Sequence, residues 1–290
     1  MVESWRSGPA EVRPVTLEAD GLPVSGLLAE PPGGRPRAVV VALHGGGMSA
    51  GYFDCRAVAG QSLLALGAGL GCTVLALDRP GYGASAAHLP DGQGLAEQSA
   101  TLHRVLAEFA RRHPVGAGYF VVAHSYGGKL ALAAAADPAG RDLLGLDISG
   151  LGHRHAVDLE LLPGPDRSGE WRRHWGSTRH YPTEAFTLAR ALVSPMPHRE
   201  SAEVPRWPGL LPGLAARVRT PVRFTFAEQE QWWRHDEEAV TELAGLFTGT
   251  TVWVDRQPGA GHNVSLGWAA RSYHLRALAF LDQCLLAGAG

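Results

Sequence analysis

The stretch Val-Val-Ala-His-Ser-Tyr-Gly-Gly-Lys-Leu-Ala-Leu, residues 121–132, constrains the fold more than any other. An apolar run ends at Ser125, two glycines follow within three residues, and an Ala- and Leu-rich run begins. The first run reads as a strand and the second as a helix, so the serine itself is the corner between them. A turn that tight forces strained dihedrals on the residue at its apex and demands small neighbours, here Ala123 and Gly127. It also stands the hydroxyl clear of the backbone, at a helix end that carries free N–H groups and partial positive charge. An anion formed there is stabilised by that helix end. The plainer reading is a serine that only caps the helix. That reading accounts for the residue type and not for the strand–corner–helix context.

The rest of the chain repeats the alternation. Residues 37–45 and 72–81 are apolar runs closed by Gly or Pro, as expected of strands buried on both faces of a parallel sheet. Residues 119–125, 143–150, 221–228 and 250–255 read as further strands. Helices are predicted over 61–70, from 95 to about 114, and over 128–137, 236–247 and 268–286. In the second of these Leu95, Leu102, Val105, Leu106 and Phe109 recur at helical spacing. Residues 15–20 and 24–31 read as a hairpin joined through Gly21, Leu22 and Pro23, a turn other than the two-residue Asn-Gly type. Strands alternating with helices predict an α/β fold with a mostly parallel sheet flanked by helices. The alternation stops over 151–217, which is rich in Pro, Trp, Arg and His with weak helical stretches such as 183–193. Long connections inside a compact domain are usually functional. The expected organisation is therefore a core of 1–150 and 218–290 with an inserted cap or lid, 151–217.

Composition removes several function classes. Of 290 residues 45% are hydrophobic and 19% charged, which is globular rather than disordered. The formal net charge is -2 with scattered arginines, so no nucleic-acid partner is expected. Three widely spaced cysteines, Cys55, Cys72 and Cys284, argue against a disulfide framework or zinc knuckle and for free, buried thiols. No apolar run reaches the length of a membrane span, and the first residues lack a secretory pattern, so a cytoplasmic protein with no membrane partner is expected. The only lysine is Lys129, in the first turn after Ser125. It reads either as a buried partner to a carboxylate or as a side chain reaching solvent.

On these motifs the chain resembles the α/β-hydrolase superfamily over nearly its whole length, in particular serine esterases and thioesterases with an inserted cap. The resemblance implies an eight-stranded type of sheet and a nucleophile at Ser125. The family pattern is Gly-x-Ser-x-Gly; here it is Ala-His-Ser-Tyr-Gly, and alanine keeps the small size required. A serine hydroxyl needs a base. The family order Ser, acid, His implies His262, which lies in Gly-Ala-Gly-His-Asn between a strand and the last helix. The acid follows the strand after the cap, where Ala227 takes the family's Gly position and Glu230 its Asp position. Glu228 and Asp147 are the rivals, with Asp236 and Asp255 behind them. The oxyanion hole would use the N–H of Tyr126 and that of Gly46 in Leu-His-Gly-Gly-Gly-Met-Ser, with Gly47 and Met48 next to it. The three glycines lack the spacing of a phosphate loop or dinucleotide fingerprint. Asp78 and Arg79 are expected to anchor their loop.

The function so implied is cleavage of an ester or thioester of a small-molecule acyl substrate through an acyl-enzyme, without metal or other cofactor. The alternatives are an acyltransferase or cyclase, a proline-type aminopeptidase, or a non-catalytic binding protein of the same fold. His153, His155, His174 and His180, with Glu170, read as a polar cap surface rather than a metal site. Trp171, Trp175, Trp207, Trp232 and Trp233 read either as acyl-pocket lining or as packing of the cap.

Overall fold

A computed structural model describes residues 11–162 and 171–288. Strands β1 (Val12–Ala19) and β2 (Leu22–Ala29) form the predicted hairpin, but Ala19 pairs with Leu22. Asp20 and Gly21 are thus the whole loop, with φ of 52° and 82°. Two residues with positive φ make the type I′ turn that suits strand twist. The predicted three-residue connection is corrected accordingly: Leu22 and Pro23 belong to the strand.

The chain then runs through β3 (Val39–Leu43), α1 (Leu63–Gly69), β4 (Thr73–Leu77), α2 (Leu95–Arg112), β5 (Tyr119–His124), α3 (Tyr126–Ala136) and β6 (Leu143–Ser149). Between β6 and the next strand the described residues form four short α-helices, α4 (Trp171–Trp175), α5 (Thr183–Leu192), α6 (His198–Glu203) and α7 (Trp207–Ala215). The chain closes with β7 (Val222–Gln229), α8 (Glu237–Gly245), β8 (Val252–Gly261) and α9 (Ala270–Gly288). The eight strands make one sheet in the order β1-β2-β4-β3-β5-β6-β7-β8. Pairing is parallel from β4 to β8, and only β1 and β2 run against their neighbours. This is the expected mostly parallel α/β sheet.

Every residue of β3 and β4 is buried, which explains why these strands read as unbroken apolar runs. Alternate side chains feed opposite cores. Val39, Val41 and Leu43 pack with α2, α3, α7 and α8, whereas Val40 and Ala42 pack with α1, α5 and α9. The three cysteines are buried and free. No helix among the described residues is long and apolar enough to cross a membrane.

Strand β8 is longer than predicted. Pro258 and Gly259 read as breakers, yet the β7–β8 ladder continues to a Gln229–Gly261 pair after a register shift between Ala227 and Gln229. That bulge decides the geometry of the site, because the next residue on each strand is a candidate catalytic group.

Candidate active site

Ser125 sits between β5 and α3 with φ 51° and ψ -117°, one of two non-glycine residues with positive φ among those described. Such dihedrals cost on the order of 1–3 kcal/mol and persist only where the surroundings impose them. Here β5 enters from below, Ser125 N–H donates to Ser149 O at 2.8 Å, and α3 begins at the next residue. Gly127 makes the corner possible. A Cβ at that position would lie 2.2 Å from Leu43 O, a backbone atom that cannot move aside. As the first helical residue Tyr126 has no acceptor one turn back for its N–H. Gly46 and Tyr126 line the same cavity as Ser125. The two predicted oxyanion donors therefore share the serine's pocket.

Residues Glu230 and His262 follow the Gln229–Gly261 pair and lie side by side at the ends of β7 and β8. His262 Nδ1 is 2.7 Å from Glu230 Oε2, and both side chains are buried. The other carboxylate oxygen accepts the Trp232 N–H at 2.9 Å, which fixes the carboxylate plane. With Nδ1 held by Glu230, Nε2 is the nitrogen free to face the cavity that His262 shares with Ser125. The His262 ring also packs 4.7 Å from His124 and 5.7 Å from His174.

Neither rival carboxylate is on this histidine. Asp147, buried on β6, accepts from Arg223 Nε at 2.6 Å and from the Tyr273 hydroxyl at 3.0 Å. Burial raises its pKa while Arg223 opposes the rise. Glu228 accepts the Gly259 N–H at 2.7 Å and is exposed. Asp236 caps α8, and Asp255 pairs with Arg223 at 3.5 Å.

The cavity has a volume of about 960 Å³ and draws most of one wall from the chain between β6 and β7. Trp175, Trp232 and Trp233 line it with Phe186 and Met196. Trp207 lies behind the wall, its indole N–H donating to Gly152 O at 2.8 Å. The side chain of Trp171 and all of Glu170 fall outside the described residues. The cap histidines separate. His153 pairs with Glu242 at 3.0 Å, and His180 is buried beneath the wall. His155 and His174 line the cavity, where burial pushes their pKa values down to about 4 and about 3 and keeps the rings neutral. Among the described residues no three His, Cys, Asp or Glu side chains gather as a metal site.

Asp78 does anchor its loop, accepting from Ala50 N–H at 2.8 Å and Ser25 hydroxyl at 2.7 Å. Arg79 does more than the sequence showed. Its guanidinium makes a fully buried bidentate pair with Glu200 of α6, at 2.7 and 2.8 Å. Glu203, one turn later, accepts the Tyr126 hydroxyl at 2.7 Å. These contacts tie the β6–β7 connection to the residue beside the serine. Their 121- and 77-residue separations carry no local signal.

A sequence model described as the alpha/beta hydrolase family matches residues 40–272. No curated protein matches the chain. Among solved structures, an esterase of M. tuberculosis is 20% identical over 95% of this chain and 93% of its own, with a TM-score of 0.63. A thermostable carboxyl esterase from Bacillus coagulans is 18% identical over 94% and 98%, with a TM-score of 0.69. The peroxisomal alpha-beta-hydrolase Lpx1 of Saccharomyces cerevisiae is 14% identical over 95% and 89%, with a TM-score of 0.61. At these identities the structures share a fold with this chain. With the family match spanning most of its length, the strained serine corner, the strand order and the Ser–acid–His succession have one common source: the chain belongs to the alpha/beta hydrolase family.

Proposed function

We propose that the protein is a serine hydrolase that cleaves an ester, or a thioester, of a small-molecule substrate through an acyl-enzyme. Ser125 Oγ attacks the carbonyl carbon as its proton passes to His262 Nε2. The carbonyl π-electrons move to oxygen, and the resulting anion lies against the Tyr126 and Gly46 N–H groups. Collapse expels the alcohol or thiol, which takes the proton from His262. Water then repeats the sequence on the acyl-enzyme and releases the acid and free Ser125. Glu230 holds the imidazole tautomer and stabilises the imidazolium formed in each half. Residues 151–217 act as the cap that selects the acyl group, since they supply Trp175, Phe186 and Met196 to the cavity lining.

One observation carries this reading. The imidazole held at 2.7 Å by a buried carboxylate lines a cavity that also holds a serine at φ 51°. A serine that only capped the helix would not need the strain, and Ser125 makes no side-chain cap hydrogen bond. The test is covalent labelling by a fluorophosphonate probe. Wild type should label at one site, and Ser125→Ala should not. Absence of labelling in wild type, or equal labelling of the variant, refutes the nucleophile.

A further inference from the structure

Lys129 is the chain's only lysine; the other twenty-five basic residues are arginine. It stands on α3 one turn beyond Ser125, is buried, and lines the same cavity. Long helical side chains lean toward the helix N-terminus, which here brings Nζ back toward the serine corner. Three aromatic rings surround the ammonium. Nζ lies 5.1 Å from the centroid of Tyr126, 5.5 Å from Trp207 and 5.8 Å from Trp233. Ring faces stabilise a cation without using its N–H donors.

Those donors have no hydrogen-bond or ion-pair acceptor among the described residues. The two carboxylates that act on Lys129 are engaged elsewhere. Glu200 serves Arg79 and the Tyr82 hydroxyl, and Glu203 serves Tyr126 and the Leu95 N–H. Burial pulls the Lys129 pKa down to about 7, Glu200 and Glu203 oppose the fall, and Arg79 adds to it. No Asp or Glu is among the described residues lining the cavity, its histidines 155 and 174 are neutral, and its other cation is the exposed Arg190. A cavity with ammonium donors and no carboxylate is complementary to an anion.

We propose that Lys129 binds a carboxylate carried by the substrate, so that the pocket takes an ester bearing a free carboxylate near the scissile carbonyl. This deepens the serine-hydrolase reading and rests on it for the word ester. A half-ester of a short dicarboxylic acid carries both groups. Its carboxylate accepts from Nζ while its ester carbonyl meets Ser125. The aromatic rings then exclude water from the pair and strengthen it.

The single lysine makes the test direct. Protein carrying Ser125→Ala and 13Cε-labelled lysine gives one side-chain signal, titrated with monomethyl glutarate and, separately, with dimethyl glutarate. The half-ester should shift the signal saturably and raise its titration midpoint by at least about one pH unit, and the diester should do neither. No shift with the half-ester, or equal shifts with both, overturns the proposal. In the catalytically intact protein, 4-nitrophenyl hydrogen glutarate is compared with its methyl-capped analogue. The ratio of their kcat/KM values should fall about 10- to 100-fold in Lys129→Met, mostly through KM of the charged ester. An unchanged ratio refutes a binding role. The two readings fail separately. Fluorophosphonate labelling without a carboxylate-induced shift removes only Lys129's role. A shift without labelling removes the hydrolase and leaves an anion-binding pocket.

Discussion

Replacing Lys129 with methionine should stabilise the protein, and by an amount that depends on pH. The side chains have similar length, so the substitution removes the charge and little of the packing. In the native state burial holds the lysine near pKa 7, against 10.5 for the free side chain. Below pH 7 both folded and unfolded chains hold the proton, and the folded state bears the whole cost of a buried ammonium. A difference of about 3.5 pKa units makes that cost about 5 kcal/mol. Between pH 7 and 10.5 the unfolded chain keeps its proton while the folded chain gives it up. The unfolded state then binds more protons, so this residue's contribution to stability rises with pH, by about 1.4 kcal/mol per unit. Above 10.5 neither state is charged and the cost has vanished.

The measurement is the urea unfolding free energy of wild type and Lys129→Met at pH 6, 7, 8 and 9. The difference between them isolates the lysine. Buried thiols such as Cys284, pushed up to about 11, destabilise the fold at high pH but do so in both proteins. The variant should be more stable by several kcal/mol at pH 6, and its advantage should shrink by about 2 kcal/mol between pH 7 and 9. A difference constant across that range refutes the reasoning, because it would mean that solvent or a paired anion supports the ammonium in the native state.

Two further outcomes follow from the site and its support. Glu230→Gln keeps a hydrogen-bonding side chain beside His262 but cannot stabilise an imidazolium; kcat should fall about 10³- to 10⁴-fold with unfolding midpoint little changed, and near-normal turnover would exclude Glu230 as the acid. Glu200→Gln strands the buried Arg79 guanidinium and should cost about 3–5 kcal/mol in urea unfolding, whereas Arg79→Met combined with Glu200→Leu should recover most of it; additive losses would show that the pair is not coupled.

Much of this fold was legible because its signals are local. Buried parallel strands such as Val39–Leu43 read as unbroken apolar runs, and Ser125, Gly127 and Ala123 announce a corner within five residues. The hairpin connection was misread because Leu22 and Pro23 look like turn residues, whereas positive φ at Asp20 and Gly21 is what closes it. The length of β8 was misread for the converse reason: Pro258 and Gly259 look like breakers, but they sit in a bulge of β8 and the ladder resumes at the Gln229–Gly261 pair. Glu230 and His262, which the structure brings to 2.7 Å, were singled out through the order of residues that the family resemblance implies. Their adjacency is a consequence of that resumed register, which no single strand encodes.

The connection between β6 and β7 was least legible, and the structure gives the reason. Helix α6 has six residues, a length at which helix propensity in water is negligible. What holds it is side-chain contact with the core. Glu200 enters the buried pair with Arg79 from the loop after β4, and Glu203 caps the N-terminus of α2 through the Leu95 N–H while taking the Tyr126 hydroxyl. Such a segment shows neither apolar periodicity nor capping signals of its own, because the groups that satisfy it lie elsewhere in the chain. The same arrangement explains how an aromatic wall can be placed accurately over Ser125. Tyr126 opens α3 directly after Ser125 and gives its hydroxyl to Glu203 of α6, so one residue joins the strained serine corner to the wall above it. With Glu200 and Glu203 spent on that task, Lys129 beneath the wall is left with ring faces and no anion. The contacts that position the cap therefore also leave the pocket cationic, and a carboxylate on the substrate completes the set.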